Sequence, residues 1–194
     1  MRRCSIIELL YEGPVSTVTL RTFAVWAAMR TWHLVAASVD YDLDTRARLR
    51  FACALNTARR EARGRVTVAE LRAAWMDARD ERAMKTGWWP ERLASRGAFS
   101  SAAQMAARFA CRATCHPDAM TAALSTSHST GWAIGYLAAS DGAARGRTLA
   151  ATESHSSSSR ACWLRMLRVA HRFADEARTA EEAEHVRKLC RWIG

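Results

Sequence analysis

Proline is scarce in this sequence, and this scarcity constrains the fold. Three prolines in 194 residues leave few positions at which a helix must break, and β-branched residues are also few. Helix propensity is therefore favourable along most of the chain and strand propensity is poor. The composition predicts an all-α fold, and the length suits a single domain over residues 1–194.

The sequence also lacks a stretch suited to span a membrane. The longest uncharged run, residues 119–140, has enough length, but it contains seven serine and threonine side chains and one histidine, which are costly in lipid. The first eight residues lack the apolar region of a signal peptide. We therefore expect a cytoplasmic protein with no membrane partner.

The six cysteines are scattered and do not form the dense pattern of a small disulfide scaffold. Reduced, mostly buried thiols are the expected state. Cys111, Cys115 and His116 permit a zinc hypothesis, with His128 as a further ligand, because thiols at i and i+4 share one helical face. Their spacing matches no zinc finger or ribbon, so buried cysteines are the default interpretation and no cofactor is expected.

Negative charge is in deficit, with 19 acidic residues against 29 basic ones and a net charge of +10. Nearly all the basic residues are arginine, since lysine occurs only at Lys85 and Lys188. This balance suits an acidic protein or a nucleic acid as partner, although an excess of arginine and alanine can also reflect GC-rich coding. The charge is spread evenly between the two halves of the chain, without a dense basic block.

Capping signals predict about seven helices. Ser16 or Thr17 starts a helix that runs to about residue 37, and a second helix begins at Thr45 and ends at Gly64. Thr67 and Glu70 form a capping box that opens the clearest amphipathic helix, which runs to Gly87. Four residues are expected on its buried face: Val68, Leu71, Trp75 and Ala78.

The second half of the chain is predicted to surround one central helix. A capping box at Ser101 and Gln104 starts the helix before it, and Pro117 starts or kinks the central helix itself, near residues 118–140. Asp141 and Gly142 end it, residues 152–159 form a flexible serine-rich connection, and the last two helices divide at Thr179. The central helix is apolar on every side, which is typical of a helix surrounded by others.

Few residues suggest a functional site. His128 lies on a broad face of the central helix and is interpreted either as a core histidine or as a base or ligand in a small polar pocket. Trp88 and Trp89, followed by Arg92, either form an exposed recognition loop or fold back over the bundle. No phosphate-binding glycine loop, paired zinc motif or nucleophile elbow occurs.

Three segments together resemble a known family. They are residues 23–28 (FAVWAA), 62–74 (ARGRVTVAELRAA) and 127–137 (SHSTGWAIGYL). Their order, with an acidic turn after the first helix, is similar to that of the alanine-rich immunity proteins of bacterial polymorphic toxin systems. The resemblance spans roughly residues 20–140.

The resemblance implies a non-catalytic cytoplasmic protein that neutralises a cognate protein toxin by direct binding. The positive charge would then suit an acidic toxin surface. Trp88, Trp89, Arg92 and His128 are the candidate partner-binding residues. The alternatives are a basic helical protein associated with nucleic acid, and a small enzyme or metal-binding protein that uses His128.

Overall fold

The protein is built from α-helices. The computed structural model describes residues 6–12, 14–36, 45–79, 96–153 and 160–193, and it contains no strand within those ranges. The helices are α1 (Ile6–Glu12), α2 (Thr17–Ala36), α3 (Thr45–Glu61), α4 (Val68–Asp77), α5 (Arg96–Ala113), α6 (Ala119–Glu153) and α7 (Arg160–Ile193). The predicted all-α bundle of about seven helices is confirmed.

Local capping chemistry sets several helix ends as predicted. The Ser16 hydroxyl accepts a hydrogen bond from the Thr19 amide at 3.0 Å at the start of α2. The Thr67 hydroxyl accepts from the Glu70 amide, and the Glu70 carboxylate accepts from the Thr67 amide in return, which completes the capping box. Gly64 follows α3 with a φ of 67°, a conformation that glycine adopts without a steric penalty.

Helix α6 is the centre of the bundle, and it is longer than the predicted helix. It packs against α2, α5 and α7, most extensively along α7, and residues on all its sides are buried, among them Ala122, Ala123 and Ala133. The predicted end at Asp141 and Gly142 is wrong, because α6 continues to Glu153. Residues 152 and 153 therefore belong to α6, and the rest of the predicted serine-rich connection lies outside the described residues.

Gly142 serves close packing and does not end a helix. A Cβ at this position would lie 3.0 Å from Phe173 Cβ and 3.1 Å from Ala170 Cα. Both neighbours belong to α7, so the absence of a side chain on α6 lets the two helices approach closely. The glycine at this position is thus explained by its contact with Ala170 and Phe173 of α7 and not by the end of a helix.

Three other predicted boundaries are also wrong. Helix α4 ends at Asp77 and does not run to Gly87. Helix α7 runs without a break from Arg160 to Ile193, so Thr179 and Glu182 lie within it and cap nothing. Helix α5 already begins at Arg96, so Ser101 and Gln104 lie inside it. Burial of one side of each helix against α6 outweighs weak local capping signals.

Arg21 holds the junction of three helices from a buried position. Its side chain is 1% exposed, and its Nε donates to Glu61 Oε2, at the end of α3, at 2.8 Å. Its other nitrogens donate to the carbonyls of Thr114, His116 and Pro117 between α5 and α6. This one guanidinium satisfies carbonyls that the end of α5 leaves without helical partners.

None of the described helices is both long and apolar enough to cross a membrane.

The thiols of Cys111 and Cys115 are buried as expected, whereas Cys53 and Cys190 are exposed. The expectation of mostly buried thiols is therefore wrong for two of the four cysteines whose side chains are described.

Candidate functional site

Of the four predicted partner-binding residues, His128 alone lies within the described residues. Trp88, Trp89 and Arg92 lie outside the described residues. His128 is on α6, but it is exposed, so the prediction of a core histidine is wrong. Because α6 is apolar on nearly every side, the sequence pattern could not show which face carries His128 outward.

His128 belongs to a small aromatic cluster at the surface. Its Nε2 accepts a hydrogen bond from Trp132 Nε1 at 2.9 Å, so a neutral His128 ring carries its proton on Nδ1. The guanidinium of Arg178, on α7, lies 4.9 Å from the centre of the Trp132 ring, within cation–π range. Trp132 therefore positions an imidazole donor and a cation on neighbouring helices.

A pocket of about 700 Å³ opens beside this cluster, between α6, α7 and the start of α1. Its polar lining comes from α6 and α7, and its apolar lining comes from α1 and one leucine of α6. The lining residues are Ile6, Ile7, Leu124, Ser125, Ser127, His128, Ser129, Gly131, Arg178, Glu182 and His185. A polar pocket at His128 is one of the two interpretations of the sequence, but the sequence does not indicate the second wall of the pocket on α7.

A chain of four polar side chains connects the floor of this pocket to α2. Ser127 Oγ lies 2.8 Å from His185 Nδ1, and His185 Nε2 lies 3.0 Å from Glu181 Oε1. The two oxygens of Glu181 in turn accept from Arg30 Nε and Nη2, the second at 2.7 Å. Ser127, His185 and Glu181 are all buried, so the chain spans α6, α7 and α2 in a low-dielectric interior.

Glu181 is ionised in this setting. Burial raises the pKa of Glu181, but its pairing with His185 and Arg30 outweighs burial and brings the pKa down to about 2. An ionised carboxylate only accepts hydrogen bonds, so the His185 nitrogen that faces it carries a proton. The Nε2–H is not well aligned with any acceptor among the described residues, and the contact with Glu181 is an electrostatic one at short range.

His185 is the residue that sequence reasoning missed. It lies 58 positions from Ser127 in the chain, so no local motif connects the two. The one available signal was its spacing from Glu181, because residues at i and i+4 meet on a helix. The rings of Phe23 and Trp26 pack edge to face against the His185 ring, with ring centres 5.6 and 5.5 Å away. These contacts fix the orientation of the His185 ring.

The residues of the zinc hypothesis are Cys111, Cys115 and His116, and the two thiols are buried. Burial raises the pKa of Cys111 to about 12 and that of Cys115 to about 11, so neither thiol is a ready source of thiolate. His116 Nδ1 accepts from the Asp118 amide at 3.2 Å. Within the described ranges, no three side chains of the metal-binding types are grouped to hold an ion.

Positive charge is concentrated in one segment of the chain, although it is spread evenly between the two halves of the sequence. Residues 45–79, which form the α3–α4 hairpin, contain nine arginines and three acidic residues. The acidic residues are already engaged: Glu61 with Arg21, Glu70 in its capping box and Asp77 with Arg50 at 3.8 Å. Four exposed arginines make no ion pair with any described residue: Arg59, Arg63, Arg65 and Arg72.

Apolar side chains are exposed on the same hairpin. Val68 is 63% exposed and Met76 is 50% exposed, and with Arg72 between them they form an outer row on α4 at i, i+4 and i+8. Leu71 and Ala78 are buried as predicted, whereas the prediction that Val68 faces the core is wrong. Arginine and methionine are enriched at protein interfaces, so this row resembles an interface in composition.

Comparison with known proteins finds no protein family, no curated protein and no solved structure that matches this chain. The resemblance to immunity proteins therefore stays a prediction from the three sequence segments.

Proposed function

We propose that this protein neutralises an acidic protein partner by direct binding, as an immunity protein neutralises its toxin. The resemblance supports a toxin as the partner and the cytoplasm as the compartment. The net charge of +10 supports an acidic partner surface. Neutralisation by contact requires no chemistry on the part of the binder.

The α3–α4 hairpin is the observation that carries the proposal. Its nine arginines exceed its acidic residues by six, which is more than half of the net charge of the chain. Exposed arginines on a surface raise the potential there, attract a partner of opposite sign and favour the correct orientation on approach. The resulting association weakens as added salt screens the charges.

A nucleic acid is the alternative partner, because phosphate groups also attract arginine. The exposed side chains of Val68 and Met76 favour a protein, since apolar groups gain from burial in a protein interface and have no counterpart on a phosphate backbone. We therefore place the nucleic acid second.

Co-purification from the native host tests the proposal. The tagged full-length chain is recovered at low salt, and bound material is analysed by mass spectrometry and by absorbance for nucleic acid. We expect one acidic protein in stoichiometric amount, encoded beside the gene for this chain, and its release as salt is raised. Recovery of nucleic acid alone would support the alternative and contradict the proposal.

A further inference from the structure

The buried chain at the pocket floor has a direction in the neutral form of His185 that carries its proton on Nε2. That proton faces the carboxylate of Glu181, since Nε2 lies 3.0 Å from Oε1. His185 Nδ1 then has a free lone pair, and Ser127 Oγ, at 2.8 Å, donates its hydrogen to it. A serine hydroxyl that donates to an imidazole is polarised towards an alkoxide.

Ser127, His185 and Glu181 lie in the order of nucleophile, base and orienting group found in serine hydrolases. The contact of His185 Nε2 with Glu181 Oε1, at 3.0 Å, is here electrostatic and not an aligned hydrogen bond. Here His185 is held on its other sides by the aromatic rings of Phe23 and Trp26, and Glu181 is fixed by Arg30. All three groups are carried by long helices and not by loops. Their spacing is thus set by the packing of α6 against α7.

Ser127 lines the pocket, and 8% of the residue is exposed. Arg178 and His128 line the same pocket. Arg178, which also pairs with Asp175 at 3.3 Å, supplies a positive charge suited to a developing oxyanion. Ile6, Ile7 and Leu124 supply an apolar lining, which suits an aliphatic acyl chain. The pocket therefore has the components for an ester substrate.

We propose that Ser127 is an activated nucleophile that attacks carboxylic esters of aliphatic acids, with His185 as its general base. The Ser127 Oγ–H proton passes to His185 Nδ1 while Oγ forms a bond to the carbonyl carbon. The C–O bond to the alcohol breaks, and the alcohol leaves with the proton from His185. Water then attacks the acyl group, His185 takes its proton, and the carboxylic acid leaves as Ser127 regains the proton.

This activity is independent of the proposed binding function. It uses α6 and α7, whereas the basic hairpin consists of α3 and α4. Either conclusion can fail without the other. Loss of the ester chemistry would leave the chain from Ser127 to Arg30 as a purely structural link between helices.

Labelling of the full-length chain with a biotinylated fluorophosphonate tests the proposal. The probe phosphorus bonds to an activated serine Oγ, fluoride leaves, and peptide mapping by mass spectrometry locates the adduct. We expect one adduct per chain, on Ser127, and slow turnover of p-nitrophenyl butyrate by the unlabelled protein. The absence of an adduct on Ser127, under conditions that label a known serine esterase fully, would overturn the proposal.

Three variants separate activation from folding. Ser127→Ala should lose the adduct, and Ser101→Ala, at an exposed serine on α5, should keep it at the rate of the parent chain. His185→Gln should slow labelling at least about 100-fold, the contribution expected of a general base, with circular dichroism used to check its fold. If His185→Gln unfolds, the pH profile of labelling of the parent chain decides the matter: a rate that does not fall at low pH contradicts a histidine base.

Discussion

Two glycines on α6 allow the packing of α6 against α7 to be measured with the same substitution at both positions. A Cβ at Gly131 would meet only Arg178 Cγ, at 3.5 Å, which is ordinary contact. Gly131→Ala should therefore stabilise the fold by about 1 kcal/mol, the difference in helix propensity between alanine and glycine. Gly142→Ala gains the same propensity but places its Cβ at 3.0 Å from Phe173 Cβ and 3.1 Å from the Ala170 backbone.

The clash at position 142 is hard to relieve, because one of the neighbours is helix backbone. Overpacking of this kind costs about 1 to 3 kcal/mol, so the net effect of Gly142→Ala is a destabilisation of about 1 kcal/mol. The two variants should thus differ by about 2 kcal/mol in free energy of unfolding, measured by urea denaturation followed by circular dichroism. Equal stabilisation by both substitutions would show that α6 and α7 do not approach closely at Gly142.

Three further predictions concern stability. Arg21→Met should lower the free energy of unfolding by about 3 to 5 kcal/mol, because it leaves Glu61 and the carbonyls between α5 and α6 without their donor; a loss below about 1 kcal/mol in urea denaturation would contradict this. Thr67→Ala should cost about 1 kcal/mol through loss of the α4 cap, and an unchanged urea midpoint would argue against the capping box. Burial raises the pKa of Glu181, but its pairing with His185 and Arg30 outweighs burial, so the folded pKa of about 2 lies below the ordinary 4.5. Its stabilisation is therefore complete above about pH 4.5 and is lost as the pH falls towards 2. The free energy of unfolding of the parent chain minus that of Glu181→Gln should fall by about 2 kcal/mol as the pH is lowered from 4.5 to 2, after allowance for solvent screening. A difference that stays constant with pH would contradict the assigned pKa.

The sequence predicted those features of the fold that depend on neighbouring residues. The capping box of Thr67 and Glu70, the cap at Ser16 and the turn at Gly64 each involve residues within four positions of one another, so their chemistry is visible in the printed sequence. The helical class follows from composition along the whole chain. These predictions needed no knowledge of tertiary contacts.

The predictions that failed depend on contacts between distant residues. Asp141 and Gly142 predict a helix end because nothing near them in sequence indicates that Phe173 packs against Gly142. Thr179 and Glu182 form an acceptable capping box, yet packing along α6 keeps α7 continuous through them. The pairing of Ser127 with His185 likewise depends on the docking of α7 on α6, which no local pattern encodes.

The outward position of His128 has a related cause. Helix α6 carries apolar residues on nearly every side, so its hydrophobic pattern does not select a face that points to solvent. Only the arrangement of α2, α5 and α7 around α6 determines which residues remain exposed. Val68 is the converse case: its apolar side chain fits the amphipathic pattern of α4, but no described helix covers it and it stays 63% exposed.

The central claim is that the α3–α4 hairpin binds an acidic protein partner, and a matched pair of charge reversals tests it most directly. Arg59→Glu with Arg63→Glu changes the hairpin, and Arg168→Glu with Arg172→Glu makes the same change of charge at the same i and i+4 spacing on α7. Because Arg172 pairs with Glu176 at 2.8 Å, circular dichroism checks that the α7 variant is folded. All four arginines are exposed. Affinity for the co-purified partner is measured by isothermal titration calorimetry at low salt.

The hairpin variant should bind at least about tenfold more weakly, equivalent to about 1.4 kcal/mol, while the α7 variant stays within about threefold of the parent chain. Equal weakening of affinity by both variants would show that binding depends on the net charge of the chain and not on the hairpin. Unchanged affinity of the hairpin variant would contradict the central claim.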